Sequence, residues 1–584
     1  MDGAGCGGRQ WRGERTLAGL RGLAAVGRWK ALIVLGTAQF LMVLDTSVMN
    51  VSVSQLVKEF DTEVTAIQAV ITLYTLVMAA FMIAGGKAGD LWGRRRMFTV
   101  GLIVYGVGSA ITATAPVLGL LALGWSVIEG FGAALVLPAL AALVGGNYAG
   151  RERAVAYGVI GGLAGAGIAV GPLLGGWVTT YLTWRLVFAG EVVLVVVLLL
   201  LVGWIREAPR PESRPQFDGV GAALSALGLA MVVLGVLQSS SWGWLKPRNS
   251  PVTIFGFSLT PFVIAAGLVT LGLFRMWERR REERRQTPLI RFELFGIAPL
   301  RSGLWVLLAQ NLILLGIFFT IPLYLQIVQG FDAFQTGLRL LPASITMLVA
   351  AMSGPLLGRI ASPRRVVRVG LLVLLVATLW LLATIQPKID NTSFALAMGL
   401  LGIGMGLLAS QLGNVVQSSV GESARSEVGG LQYTAQNLGS SLGTALIGSI
   451  LIGALTAAVT HELSVSRQLS ATVKQQLGIA LEAGVNFVST GQVRASLEHA
   501  GVPPDQVNVV VNSYAQAQLV GLKIALLTAA AIALASLWLT AGLPGTKQAG
   551  GERMSPPAQD PATAGQPPLL RRNERLLRAG PKPS

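Results

Sequence analysis

Three acidic side chains, Asp45, Glu129 and Glu191, stand inside apolar runs long enough to cross a membrane. An ionisable group at mid-membrane costs about 2.5–3.5 kcal/mol on insertion scales, so such residues are rare and face a cavity or a partner. Each therefore has a chemical and a structural reading. Asp45 lies in the middle-to-outer part of its run, where a coupling role competes with a buried acid satisfied by a neighbouring helix. Glu129 lies near the centre of its run, a position suited to cyclic protonation or to a helix-to-helix hydrogen bond. Glu191 lies toward the outer third, where snorkelling toward water is the alternative.

The elements that must position these acids follow from composition. The chain has 584 residues, of which 53% are apolar and only 12% charged, with a mean hydropathy of +0.63. That is too much apolar surface for a soluble core, and a bilayer has to cover it. The formal charge of +17 does not mark a nucleic-acid binder, because the basic residues are divided among short connections. The single cysteine, Cys6, excludes an internal disulfide. A window of about 19 residues, suited to a hydrocarbon core of about 30 Å, yields fourteen spans, near 31–53, 65–86, 97–115, 118–146, 155–178, 184–205, 218–238, 253–275, 300–328, 336–360, 367–386, 392–416, 427–457 and 517–541.

The arginines test this division independently. Arg94 to Arg96, Arg151 and Arg153, Arg206 to Arg214, Arg279 to Arg285, and Arg359 to Arg368 fall in alternate connections. The positive-inside rule assigns those connections to the cytoplasm, and an even number of spans places both termini there. Residues 1–30 form an Arg-rich cytoplasmic tail without an A-x-A cleavage signature, so the first span reads as an uncleaved anchor in the plasma (inner) membrane. The expected organisation is a six-helix bundle over 31–205, a linker over 206–299 with two spans, a second six-helix bundle over 300–541, and a disordered cytoplasmic tail over 542–584. Residues 276–298 mix charges at helical spacing and predict a cytoplasmic surface helix. Residues 460–516 form the one sizeable external segment. It carries both histidines, His461 and His499, read as exposed residues and not as a metal site, and has helix-compatible stretches at 464–481 and 492–500.

Gly85–Phe98, GGKAGDLWGRRRMF, is the most charged short connection. Asp90 and Arg94, four apart across Gly93, could form a charged latch that also caps a helix end, with Gly86 and Arg95 beside it. Asn50, Gln68, Tyr74, Asn311, Tyr324, Gln411, Asn414 and Gln436 are polar residues in apolar spans. They could line a cavity, although each alone more often makes an interhelical hydrogen bond.

The chain repeats itself. Gly161, Gly162 and Leu163 are followed by Gly171 and Gly175, and Gly429, Gly430 and Leu431 are followed at the same offsets by Gly439 and Gly443. GRIASPRR, from Gly358 to Arg365, looks like a worn copy of DLWGRRR. Spans nine to fourteen thus repeat spans one to six, with seven and eight inserted, a pattern that belongs to transporters rocking two bundles about a central site. A primary pump would need a G-x-x-x-x-G-K-[ST] loop, which the sequence lacks, and a membrane enzyme would need a cluster of His, Cys or carboxylates at one interface. No cofactor or metal is called for.

Three motifs in order carry a resemblance. GGKAGDLWGRRRMF resembles the loop signature of the major facilitator superfamily. Gly167, Gly171, Pro172, Gly175 and Gly176, as GxxxGPxxGG, resemble its antiporter signature, and LDTSVMNVSV from Leu44 to Val53 resembles the first-helix signature of its fourteen-helix drug:proton antiporters. The resemblance implies an all-α polytopic protein of two six-helix bundles plus two linker helices. It also implies export of amphipathic, often cationic drugs in exchange for protons, with Asp45 the leading coupling residue and Gly171 and Pro172 a seal against proton leak. Export of a single endogenous metabolite, lipid or natural product is the alternative, and a non-transporting sensor a remote one. A monomer in the bilayer is expected. The chain departs from the family in having Ser126 and Gln436 where arginines are usual, Glu129 in place of a glutamine and Glu191 in place of an asparagine, which moves weight onto carboxylates.

Overall fold

The computed structural model describes residues 7–148, 150–207, 217–247, 250–284, 286–421, 424–465, 469–470 and 487–546. Apart from one isolated β-bridge, Ile254 with Phe257, their regular structure is helical. Fourteen of the helices are long and apolar enough to cross a membrane. The first seven are α1 (Gly7–Val51), α2 (Val64–Trp92), α3 (Arg94–Ala113), α4 (Leu118–Asn147), α5 (Gly150–Tyr181), α6 (Arg185–Leu201) and α7 (Gly219–Trp242). The others are α8 (Thr260–Glu283), α9 (Ala298–Leu323), α10 (Ala333–Met352), α11 (Pro363–Thr384), α12 (Asn391–Ser418), α13 (Arg425–Val465) and α14 (Pro504–Leu539).

All fourteen expected spans are present, and the shifted boundaries have local causes. The eighth begins at Thr260 and not near 253, because Phe255 and Gly256 take φ of +51° and +78° in a tight turn. The tenth ends at Met352 and a short helix, Gly354–Ile360, follows with a proline in its first turn, where the missing N–H is harmless. The expected separate surface helix over 276–298 does not form. Instead α8 runs on through Glu283, nothing in its sequence stopping it earlier, and the chain reaches α9 through the 3₁₀ turn Phe292–Gly296. The helix-compatible stretch 492–500 matches Thr490–His499, held by a Ser489–Gln492 capping box. Most of 464–481, and the tail from 547, lie outside the described residues.

The packing of the second set of six helices mirrors that of the first. α1 lies on α5 as α9 lies on α13, α3 on α4 as α11 on α12, and α3 on α6 as α11 on α14. Across the molecule α5 packs on α10 and α13 on α2, which are equivalent pairs under the sequence repeat. The inserted α7 and α8 pack on each other, and α7 covers the seam between α2 and α13, where Ser449 donates to the Val236 and Leu237 carbonyls at 3.1 and 3.0 Å. Inside this pair, Asp218 caps α7 through the Gly221 amide, accepts from the Trp277 indole and pairs with Arg281 at 3.2 Å.

Candidate functional site

The three acids of α1, α4 and α6 converge. Asp45, Glu129 and Glu191 are buried, and each offers an oxygen within 4.8 Å of the others. Glu191, whose expected depth left snorkelling open, is only 2% exposed and turns inward. The residues that hold the trio were not singled out in the sequence. The Trp125 indole N–H reaches both Asp45 oxygens, at 2.9 and 3.0 Å, and its ring stacks on Tyr74 with centroids 4.5 Å apart. The Ser109 hydroxyl lies 3.0 Å from Glu129 Oε2 and 3.2 Å from Glu191 Oε2, and the Tyr105 hydroxyl donates to the same Glu191 oxygen at 3.3 Å.

Backbone geometry makes this convergence possible. Residues Ala122–Glu129 of α4 form a π-helical stretch, and its wider turn holds both Trp125 and Glu129 in the cluster. α3 comes unusually close at Gly108, where a Cβ would lie 2.6 Å from the Glu129 nitrogen. Ser109, the next residue, thereby reaches two carboxylates. The Ser126 hydroxyl donates to the Val70 carbonyl and ties α4 to α2, where the family places an arginine.

Among the described residues no lysine or arginine forms an ion pair with the trio. Three carboxylates this close in a dry interior cannot all be charged, so the cluster must take up positive charge. Among the described residues Glu129 Oε1 and Glu191 Oε1 have no hydrogen-bond partner. An all-oxygen set of this kind suits protons or a hard cation. The sequence reading weighed each acid alone and so saw no such set.

The glycine motif of α5 works as packing. Gly167 lies against α1, where a Cβ would meet the Phe40 carbonyl at 3.1 Å, and Gly175 lies against Val48, at 2.8 Å. Gly171 faces Ser47, while Gly176 and the Pro172 carbonyl face Ala333 and Gly337 of α10. The same helix is open at its other end, since a Cβ on Gly161 or Gly162 would meet nothing within 4 Å. In α13, Gly439 and Gly443 are pressed on the Leu308 and Leu312 carbonyls, whereas Gly429 and Gly430 make only ordinary contacts, Gly430 with Ile83 of α2 at 3.7 Å. At the closed end, away from the arginine clusters, Gln326 bonds Ser54 and the Val51 carbonyl, and the Phe334 amide donates to Thr180 at 3.0 Å. The two halves are laced at one face, and toward the arginine-bearing one α5 is open beside Gly161 and Gly162 while α13 keeps ordinary contact with α2 at Gly430.

In the loop after α2, Gly93 has φ +103°, a conformation open to glycine, and Arg94 pairs with Asp90 at 3.0 Å across it. Asp90 does not cap α3. Its carboxylate is turned to the Arg94 side chain, and Glu207 accepts instead from the Arg94 and Arg95 amides at 2.8 and 3.2 Å. Gly86 lies beside Pro138 of α4.

Several expected cavity residues are used for helix contacts. Gln68 donates to the Thr444 carbonyl of α13, Tyr324 to the Gln386 carbonyl and Gln411 to the Gly354 carbonyl. Asn50 and Asn311 bond their own helices, whose nearby carbonyls are the nearest acceptors, Tyr74 joins the acidic cluster, Gln436 is half-buried and Asn414 is exposed. His461 and His499 are exposed.

Two pseudo-symmetric sets of six helices, with glycine-packed seams and a buried charge cluster in one set, define a polytopic secondary-transporter architecture. The chain belongs to the Major Facilitator Superfamily, whose sequence profile matches residues 35–444. It is 30% identical over 443 residues to a probable actinorhodin transporter of Streptomyces coelicolor, covering 74% of each chain. It is 27% identical over 438 residues to the multidrug resistance protein Stp of Mycobacterium tuberculosis, covering 74% of this chain and 77% of that one. A bacterial homologue of the human lysosomal transporter Spinster, solved inward-facing and unoccupied, shares the fold at a TM-score of 0.55 and 16% identity, covering 88% and 98% of the two chains. The protein is a multi-pass membrane transporter, not an enzyme.

Proposed function

We propose that the protein is a proton-coupled antiporter that exports amphipathic, often cationic small molecules by alternating access. One observation carries the reading: a buried trio of carboxylates with no basic partner among the described residues, which can trade protons for a cationic substrate. The bundles 31–205 and 300–541 rock about the α2–α13 and α5–α10 seams, with the antiporter glycines as the tight surface. The arginine-bearing end and both termini face the cytoplasm, and the open end of α5 admits substrate from there or from the inner leaflet. Protonation of Asp45 or Glu129 removes buried negative charge, frees the substrate outside and favours return to the inward-open state. The protein works as a monomer in the plasma membrane.

A compound panel in reconstituted vesicles tests this. Efflux should stop when the proton gradient is dissipated, and gradient-independent efflux would sink the antiport reading. A second reading, dedicated export of one natural product, is favoured by the relative named for actinorhodin. Broad mutual competition among unrelated compounds supports multidrug export, whereas discrimination in favour of one compound supports the dedicated exporter.

A further inference from the structure

Hydrogen-bond counting at the acidic cluster points beyond the carboxylates. Ser109 carries one hydroxyl hydrogen yet lies within bonding distance of two carboxylate oxygens, Glu129 Oε2 at 3.0 Å and Glu191 Oε2 at 3.2 Å. Both contacts are full two-centre hydrogen bonds only if one glutamate is a carboxylic acid that donates to the serine oxygen. The Tyr105 hydroxyl also donates to Glu191 Oε2 at 3.3 Å, an arrangement that suits Glu129 as the acid and Glu191 as the acceptor. In that arrangement Glu129 donates to Ser109, and Ser109 donates to Glu191.

We infer that Ser109 is a proton-relay hydroxyl joining Glu129 to Glu191. In the step, the Glu129 O–H bond breaks as its proton bonds to Ser109 Oγ, while the Ser109 proton passes to Glu191 Oε2. Glu129 ends as the carboxylate, Glu191 as the acid and Ser109 as a neutral hydroxyl that resets by rotation. No oxidant, reductant or second substrate is needed. The groups facing the relay are Asp45 on α1, Tyr74 on α2, Tyr105 on its own helix, Glu129 on α4 and Glu191 on α6, and no cation among the described residues pairs with them. Close approach at Gly108 holds the hydroxyl in line. Ser109 thus acts through its neighbours as a positioning and relay residue.

The inference rests on the antiport reading, and one experiment separates the two. Protein is reconstituted in vesicles containing a pH-sensitive dye, with ethidium as the probe substrate. Proton flux driven by an ethidium gradient is measured beside ethidium–ethidium counterflow, which needs no net proton movement. S109A should slow the coupled flux by about tenfold and leave counterflow little changed, and S109T, which keeps the hydroxyl, should restore it. Equal loss of both activities makes Ser109 a packing residue and overturns the relay, as does unchanged coupled flux. A wild type that exchanges ethidium in counterflow but moves no protons with it overturns the antiport reading itself, and the relay with it. If S109A fails to assemble, the wild type in heavy water decides: coupled flux slowed relative to counterflow supports the relay, and equal slowing overturns it.

Discussion

The two halves share a packing plan and differ in what they bury. In the first half, α1, α4 and α6 bring three carboxylates together, each almost fully removed from solvent. At comparable burial the second half holds neutral groups that bond backbone: Gln310 to the Met405 carbonyl, Gln411 to the Gly354 carbonyl and Gln518 to the Val488 carbonyl. Among the described residues, the buried charged side chains lie in the first half and the linker pair alone. A repeated fold therefore does not imply repeated chemistry. Neutral hydrogen bonds cost little to keep inside a membrane, whereas a carboxylate persists there only with a proton, a cation or a function. On the antiport reading proposed above, the difference assigns proton handling to the first half and a passive counter-surface to the second.

The largest effect should come from Asp45→Asn, which keeps the size of the side chain and removes its charge. Gradient-driven transport should fall by about a hundredfold or more with protein levels and fold retained, while Gln411→Ala in the other half should leave coupling intact and cost about 1 kcal/mol of stability. Normal coupled transport in the asparagine variant, or loss of coupling in the alanine variant, would erase the division between the halves. A smaller effect contrasts the two ends of α5. Gly175→Leu forces a side chain against Val48 and should destabilise by about 1–3 kcal/mol, measured by thermal unfolding in detergent, whereas Gly161→Leu meets open space and should leave unfolding unchanged. The same Gly161→Leu change should still slow transport, because closing the open end must bring that surface into contact. Smallest is Asp90→Asn, which removes a partly exposed ion pair worth about 1 kcal/mol or less. Transport should drop by about two- to fivefold with topology preserved, as read by cysteine accessibility on either face. Unaltered transport would reduce the loop to a topology signal.

Much of the fold was legible because span length and charge placement are local properties. Hydropathy located Asp45, Glu129 and Glu191, and the offsets from Gly161 to Gly175 and from Gly429 to Gly443 revealed the repeat. The partners of the acids left only faint traces. Tyr105 and Ser109 are four apart, as are Trp125 and Glu129, so each pair shares a helix face, yet spacing within one helix does not say which other helix that face meets. The continuation of α8 through Glu283 was hidden by charges that suit a surface helix as well as a span's end. Capping of α3 by Glu207 joins residues more than a hundred positions apart.

What the sequence alone determined is the number of spans, the alternation of arginine-rich connections between them, the internal repeat and the identity of the three buried acids. Bilayer thickness and the cost of burying charge act on each segment separately, so no knowledge of neighbours was needed. Only the tertiary structure decided that the acids form one cluster, that Ser109 and Trp125 hold it, and that the glycine seam of α5 is tight at one end and open at the other. These depend on contacts between helices that are not consecutive in the chain, and on a π-helical turn and a close approach at Gly108, whose geometry arises only when the helices pack.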